Sequence, residues 1–201
     1  MLSVIGIGPG SQAMMTMEAV EALQVAEIVV GYKTYTHLVK AFTGDKQVIK
    51  TGMCKEIERC QAAIELAQAG HNVALISSGD AGIYGMAGLV LELVNKQRLD
   101  IEVRLIPGMT ASIAAASLLG APLMHDFCHI SLSDLLTPWS VIEKRIVAAG
   151  EADFVICFYN PRSRGREGHL ARAFALLAAS KSADTPVAWS NPPGVKSRRN
   201  G

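Results

Sequence analysis

The run Asn72-Val73-Ala74-Leu75-Ile76-Ser77 is apolar at four consecutive positions and then breaks at Ser78-Gly79. A strand with one wet face alternates apolar and polar side chains. A run without alternation is therefore covered on both faces, as in the middle of a parallel sheet clothed by helices. The same order recurs along the chain, with apolar runs bounded by turn residues alternating with segments of helical period. It predicts an α/β fold assembled from βαβ units. Strands are expected near 2–7, 27–31, 46–51, 72–78, 101–106, 125–131 and 153–158, and helices near 15–26, 34–42, 54–69, 84–97, 109–119, 138–149 and 166–180. In the helix over 54–69, Ile57, Cys60, Ala63, Ile64 and Ala67 fall on the face expected to be buried, and Gly70 ends it. Glu58, Arg59 and Gln61 fall largely on the outer face. A domain division is expected near Pro107-Gly108, where a strand ends in a turn.

Three of the turns carry chemistry. The first strand breaks into Gly6-Ile7-Gly8-Pro9-Gly10, where glycines let backbone approach a ligand closely and Pro9 removes an N–H that a phosphate cradle would use. The second is Ser77-Ser78-Gly79-Asp80-Ala81-Gly82-Ile83-Tyr84-Gly85, whose Asp80 suits either hydrogen bonds to a ligand or capping of the following helix. The third is Ile106-Pro107-Gly108-Met109-Thr110-Ala111-Ser112, which sets the Thr110 and Ser112 hydroxyls at a helix start, for a ligand carboxylate or for the helix's own N–H groups. Each follows a strand, and in an open α/β sheet ligands sit beyond the carboxyl ends of strands. A nicotinamide dinucleotide is a poor guest. The third glycine of the Gly-x-Gly-x-x-Gly pattern is misplaced, and the strand over 27–31 ends at Gly31-Tyr32-Lys33 with no acid for a ribose.

A net charge of +1 gives no basic field, so nucleic acid is not an expected partner. Cys54, Cys60, Cys128 and Cys157 occur singly, without the spacing of a zinc site, and read as reduced thiols in a cytoplasmic protein. No Lys or Arg precedes Lys33, unlike the basic start of a signal peptide, and the apolar stretch around Ile113 to Met124 is too short and interrupted to span a bilayer.

Gly6-x-Gly8-Pro9-Gly10 with Met15-Thr16, Gly79-Asp80-Ala81-Gly82-Ile83-Tyr84-Gly85 and Pro107-Gly108-Met109-Thr110-Ala111, in that order, resemble the tetrapyrrole methylases. These are S-adenosylmethionine-dependent enzymes that methylate ring carbons in corrin and sirohaem synthesis. Gly31-Tyr32-Lys33-Thr34-Tyr35, His125-Asp126-Phe127 with Ile130-Ser131-Leu132-Ser133-Asp134, and Phe158-Tyr159-Asn160-Pro161-Arg162-Ser163-Arg164 resemble one branch. Its members methylate C17 of precorrin-3B or cobalt-factor III in cobalamin synthesis. The resemblance runs from Met1 to about Val187 and departs at Ala81, where relatives often carry proline.

The resemblance implies a two-domain α/β enzyme of the class III S-adenosylmethionine-dependent methyltransferases, homodimeric, with the methyl donor in the cleft between domains. On this chain the domains would be 1–107 and an incomplete 108–187. Motif position implies donor contacts by Pro9, Gly79, Asp80, Ile83, Thr110, Ala111 and Asn160. The substrate is a carboxylate-rich tetrapyrrole, cobalt-loaded or metal-free. Tyr32, Lys33, Tyr35, Arg162 and Arg164 are its candidate partners, though the arginines equally suit a solvated loop and the tyrosines a core. Ring contraction in this branch is linked to lactone formation by a substrate carboxylate. His125, then Asp126 and His129, are candidates for proton transfer, against a structural reading of equal weight. No metal site of the protein's own is implied, and no membrane partner.

From Ala188 to Gly201 the pattern changes, with Pro192-Pro193 and a basic cluster where the family continues from a strand into a further glycine turn. For a suitable choice of codons, one G placed before those for Ala188–Lys196 changes their reading to Gly-Val-Val-Lys-Ser-Ala-Gly-Arg-Lys. A one-base deletion or a sequencing error is thus the expected origin of an aberrant 188–201 segment, and resequencing the gene tests it. An inactive or binding-only fragment is the alternative to an active enzyme.

Overall fold

The computed structural model describes residues 1–161 and 167–189. Its larger sheet is all parallel, in the order β3 (Gln47–Thr51), β2 (Ile28–Tyr32), β4 (Val73–Ser77), β1 (Leu2–Gly6), β5 (Val103–Ile106). β1 and β4 are buried along their whole lengths, as the unbroken apolar runs require. The period of two divides their side chains between two cores. Leu2, Val4, Val30, Val73 and Leu75 pack with Cys60 and Ile64 of α4 (Glu56–Gln68) and Val90 of α5 (Ala87–Gln97). Ile5, Val29, Ala74 and Ile76 pack on the other face with Ala19 and Leu23 of α1 (Met17–Val25), and with Tyr35 and Leu38 of α2 (Lys33–Leu38).

The connection leaving β1 thus passes over one face through α1, and the connection leaving β4 passes over the other through α5. Between these neighbours the winding reverses, which makes their carboxyl ends the switch point at which an open α/β sheet takes a ligand.

The helix expected over 34–42 is two short ones, α2 and α3 (Lys40–Thr43), separated at Val39. α5 starts at Ala87 rather than near 84 because Gly82–Met86 form an extra turn, in which Tyr84 takes φ +53° and Ala87 N–H donates to the Ala81 carbonyl (2.9 Å).

In α4 two expectations fail. Ile57 is 64% exposed, while Arg59 is buried at 5%. Ile57 joins none of the three apolar clusters among the described residues, and Arg59, in the same first turn of α4, reaches polar groups at the end of β3.

The described chain forms two compact units, Met1–Ala114 and Ala115–Trp189. The first unit runs into α6 (Ala111–Leu118), past the division expected at Pro107-Gly108. The turn at 107–108 belongs to the first unit because Gly108 is seated against Gly6 and Gly79. In the second unit β6 (Phe127–Ser131) and β7 (Val155–Tyr159) pair in parallel. Ile130 and Ile156 pack with Ile142 and Ile146 of α7 (Trp139–Glu151) and Ala173 of α8 (His169–Leu177). Among the described residues β7 pairs with β6 alone. Val187 and Trp189 are exposed and lie in no strand.

Candidate functional site

The three glycine turns meet beyond the carboxyl ends of β1, β4 and β5, held together by backbone. Gly8 and Gly79 exchange hydrogen bonds, N–H to O at 3.0 and 2.8 Å, forming an antiparallel bridge beyond a parallel strand pair. Gly79 takes φ +65°, a conformation that disfavours any residue with a Cβ. The third turn closes on the other two so tightly that a Cβ on Gly108 would stand 2.2 Å from the Gly79 carbonyl oxygen and 2.6 Å from that of Gly6.

Asp80 fastens this arrangement. Its Oδ1 accepts from Gly82 N–H (2.7 Å) and Ile83 N–H (3.1 Å), and its Oδ2 accepts from Gly108 N–H (2.9 Å). Neither alternative read from sequence describes this role. Asp80 does not cap α5, whose N-cap is Met86, and its oxygens already serve three backbone donors in two turns. Thr16 makes a parallel link: its Oγ1 caps α1 through Ala19 N–H (3.1 Å) and donates to the Pro107 carbonyl (3.3 Å).

The expected donor contacts in the first unit therefore differ in kind. Pro9 and Thr110, within the first and third turns, are buried, whereas Gly79 and Ile83 are partly exposed and Ala111 is exposed. Asn160 belongs to the second unit, just after β7, with φ +52° and its Nδ2 donating to Ser131 Oγ (3.0 Å).

Among the candidate substrate partners, Tyr32 ends β2 and meets Tyr35 edge to face, with ring centroids 5.1 Å apart. Lys33 is the first residue of α2. Arg162 and Arg164 lie outside the described residues.

His125 and Asp126 are exposed and precede β6, at the amino end of the strand whose carboxyl end carries Ser131. A five-residue strand puts these ends about 13 Å apart. His129 lies further along β6, tilted against Phe127 and edge-on to Tyr159, and partial burial holds its imidazole below the usual range. Among the described residues no group of three or more His, Cys, Asp and Glu is placed to hold a metal ion, and no helix is long and apolar enough to cross a membrane.

Sequence reasoning missed Arg59. Its Nε donates to Thr51 Oγ1 (2.6 Å), Nη2 to the Gly52 carbonyl (3.0 Å) and Nη1 to Met86 Sδ (3.6 Å), and its guanidinium lies 5.9 Å from the Tyr32 ring centroid. The signal was present: Arg59 is next to Cys60 and four residues before Ala63 on the same helix.

The parallel doubly wound sheet gathers the three turns at its carboxyl edge, where α/β proteins of this architecture take a small ligand. The chain belongs to the Tetrapyrrole (Corrin/Porphyrin) Methylases, whose family pattern matches residues 1–192. It is 95% identical over 187 residues to a probable cobalt-factor III C(17)-methyltransferase of Salmonella typhimurium, covering 93% of this chain and 78% of that protein. It is 52% identical to the cobalt-factor III methyltransferase of Priestia megaterium, and spans 35% of that longer protein and 92% of its own length. The crystal structure of the methyltransferase CobJ superposes with a TM-score of 0.83 at 37% identity, covering 90% of this chain and 76% of that one.

Proposed function

We propose that this chain is an S-adenosylmethionine-dependent methyltransferase that methylates C17 of a cobalt-loaded corrin precursor, cobalt-factor III, with contraction of the ring. The observation that carries the reading is the 95% identity to a relative named for that reaction. The three-turn cluster supports it chemically. The donor offers an amino-acid end, a ribose and an adenine but no phosphate, which suits walls of bare glycine backbone with Pro9 among them.

When bound, the donor supplies an electrophilic sulfonium methyl group for in-line displacement by a macrocycle carbon. The chain's own residues place the reactants and exclude water. Gly79, Ile83 and Ala111 present the donor surface of the first unit, Asp80 locks two turns in register, and a donor contact by Asn160 rests on motif position alone. Tyr32 and Tyr35 offer ring faces to the macrocycle, and Lys33, with Arg162 and Arg164, offers charge to its carboxylates. The homodimer and the cytoplasmic location rest on the family resemblance, and sedimentation tests the former.

The placement of His125 and Asp126 weighs against proton transfer. His125→Ala is expected to leave methyl transfer within about twofold, and a loss of about a hundredfold would restore the role. The test of the whole reading is transfer of labelled methyl from the donor to cobalt-loaded and metal-free precursors. Transfer to the cobalt-loaded one is expected. Donor binding without transfer to either would make this chain a binding fragment.

A further inference from the structure

We infer that Arg59 is an anion-recognition residue that takes one peripheral carboxylate of the tetrapyrrole, an inference that rests on the proposed function. Its side chain is 95% removed from solvent, yet no ion pair among the described residues includes it. Its partners are a hydroxyl, a carbonyl, a thioether and an aromatic ring, all of them neutral. Neutral acceptors satisfy N–H groups but leave the positive charge uncompensated, and a desolvated charge without a counter-ion is costly in a protein interior. Clamping Thr51 to Gly52 would not by itself require a permanent cation.

Position supplies the second argument. Tyr32 ends β2, Thr51 ends β3 and Met86 precedes α5, so the guanidinium stands at the same carboxyl edge as the three turns. The loop that supplies its carbonyl partner is open on its outer side: a Cβ built on Gly52 meets nothing within 4 Å, and the following Met53 is 67% exposed. Five N–H groups less three contacts leave one on each terminal nitrogen without an acceptor among the described residues. A carboxylate entering beside Gly52 and Tyr32 would meet a planar donor fork, the geometry in which arginine exceeds lysine.

The alternative is a purely structural Arg59 that holds Tyr32 and the 51–52 turn. A cycle between protein and ligand separates the two. The 201-residue chain and its Arg59→Met, Arg59→Gln and Arg59→Lys forms would each be titrated with a cobalt corrin bearing free peripheral carboxylates and with the same corrin bearing neutral amides. Circular dichroism would show which variants are folded. Carboxylate recognition predicts that Arg59→Met and Arg59→Gln weaken the free-acid corrin roughly tenfold to a hundredfold and the amide by less than about twofold. Arg59→Lys should recover part of the loss. Equal weakening of both corrins in every folded variant would show a structural role and overturn the inference while the functional reading stands. A wild-type chain that binds neither corrin overturns both. If the two neutral variants do not fold, Arg59→Lys decides alone, because loss of its bidentate fork must still weaken the free-acid corrin more than the amide.

Discussion

Asp80 Oδ2 accepts a hydrogen bond from Gly108 N–H at 2.9 Å, joining turns 28 residues apart in sequence. The carboxylate is a fastener between two walls of the candidate donor site. Asp80→Ala leaves three N–H groups without their acceptor and is expected to destabilise the protein by about 2–3 kcal/mol, with donor affinity down at least tenfold. Asp80→Asn should separate the two links, because an amide oxygen can still serve Gly82 while the NH2 opposes Gly108 N–H. Urea unfolding with calorimetric titration of S-adenosylmethionine checks both, and unchanged affinity in a folded Asp80→Ala protein would remove Asp80 from the site.

Gly108→Ala should be worse than most surface changes. Its Cβ would fall 2.2 Å from the Gly79 carbonyl oxygen, and both clashing groups are backbone, so no rotamer relieves the contact. A cost of about 2 kcal/mol or more and a fall in Tm on the order of 10 °C are expected. Gly88→Ala, which meets open space inside α5, is the control and should be neutral or slightly stabilising.

The imidazole of His129 gives a pH dependence of known sign. Partial burial lowers its folded-state pKa below 6.5, so the unfolded chain binds the extra proton more readily. Its contribution to stability is complete above the unfolded value and is lost as pH falls from there toward the folded value. Urea midpoints between pH 7.5 and 5 should fall for the wild type and fall less for His129→Gln. Identical slopes would show that His129 does not contribute.

The thiols should separate by burial. Burial pushes the Cys60 thiol up to about 11, leaving almost no thiolate at pH 8, whereas Cys54 is exposed. Brief treatment of the native protein with iodoacetamide should label Cys54 and spare Cys60, and mass spectrometry of the digest reads the result. Rapid Cys60 labelling would show that α4 opens from the sheet.

The sheet was legible in the sequence because its signal is local. Val73–Ile76 states its double burial by composition alone, and the three glycine turns mark the carboxyl edge. Other parts of the site are tertiary, and their local traces admit more than one reading. Asp80 is equally plausible as a cap or a ligand contact until Gly108 is seen beside it. The helical wheel misplaced Ile57 and Arg59 because it sorts residues by angle around an axis and ignores height along it. In the first turn of α4, beside the end of β3, arginine gains three partners and isoleucine joins no apolar cluster among the described residues.

The reciprocal hydrogen bonds of Gly8 and Gly79 have a kinetic corollary. Walls tied to each other by main chain cannot swing apart separately, so the methyl donor would meet a mouth already shaped. Such a site takes up its guest in a single phase whose rate rises linearly with concentration, and differences in grip between the donor and its demethylated product show almost wholly in how long each stays.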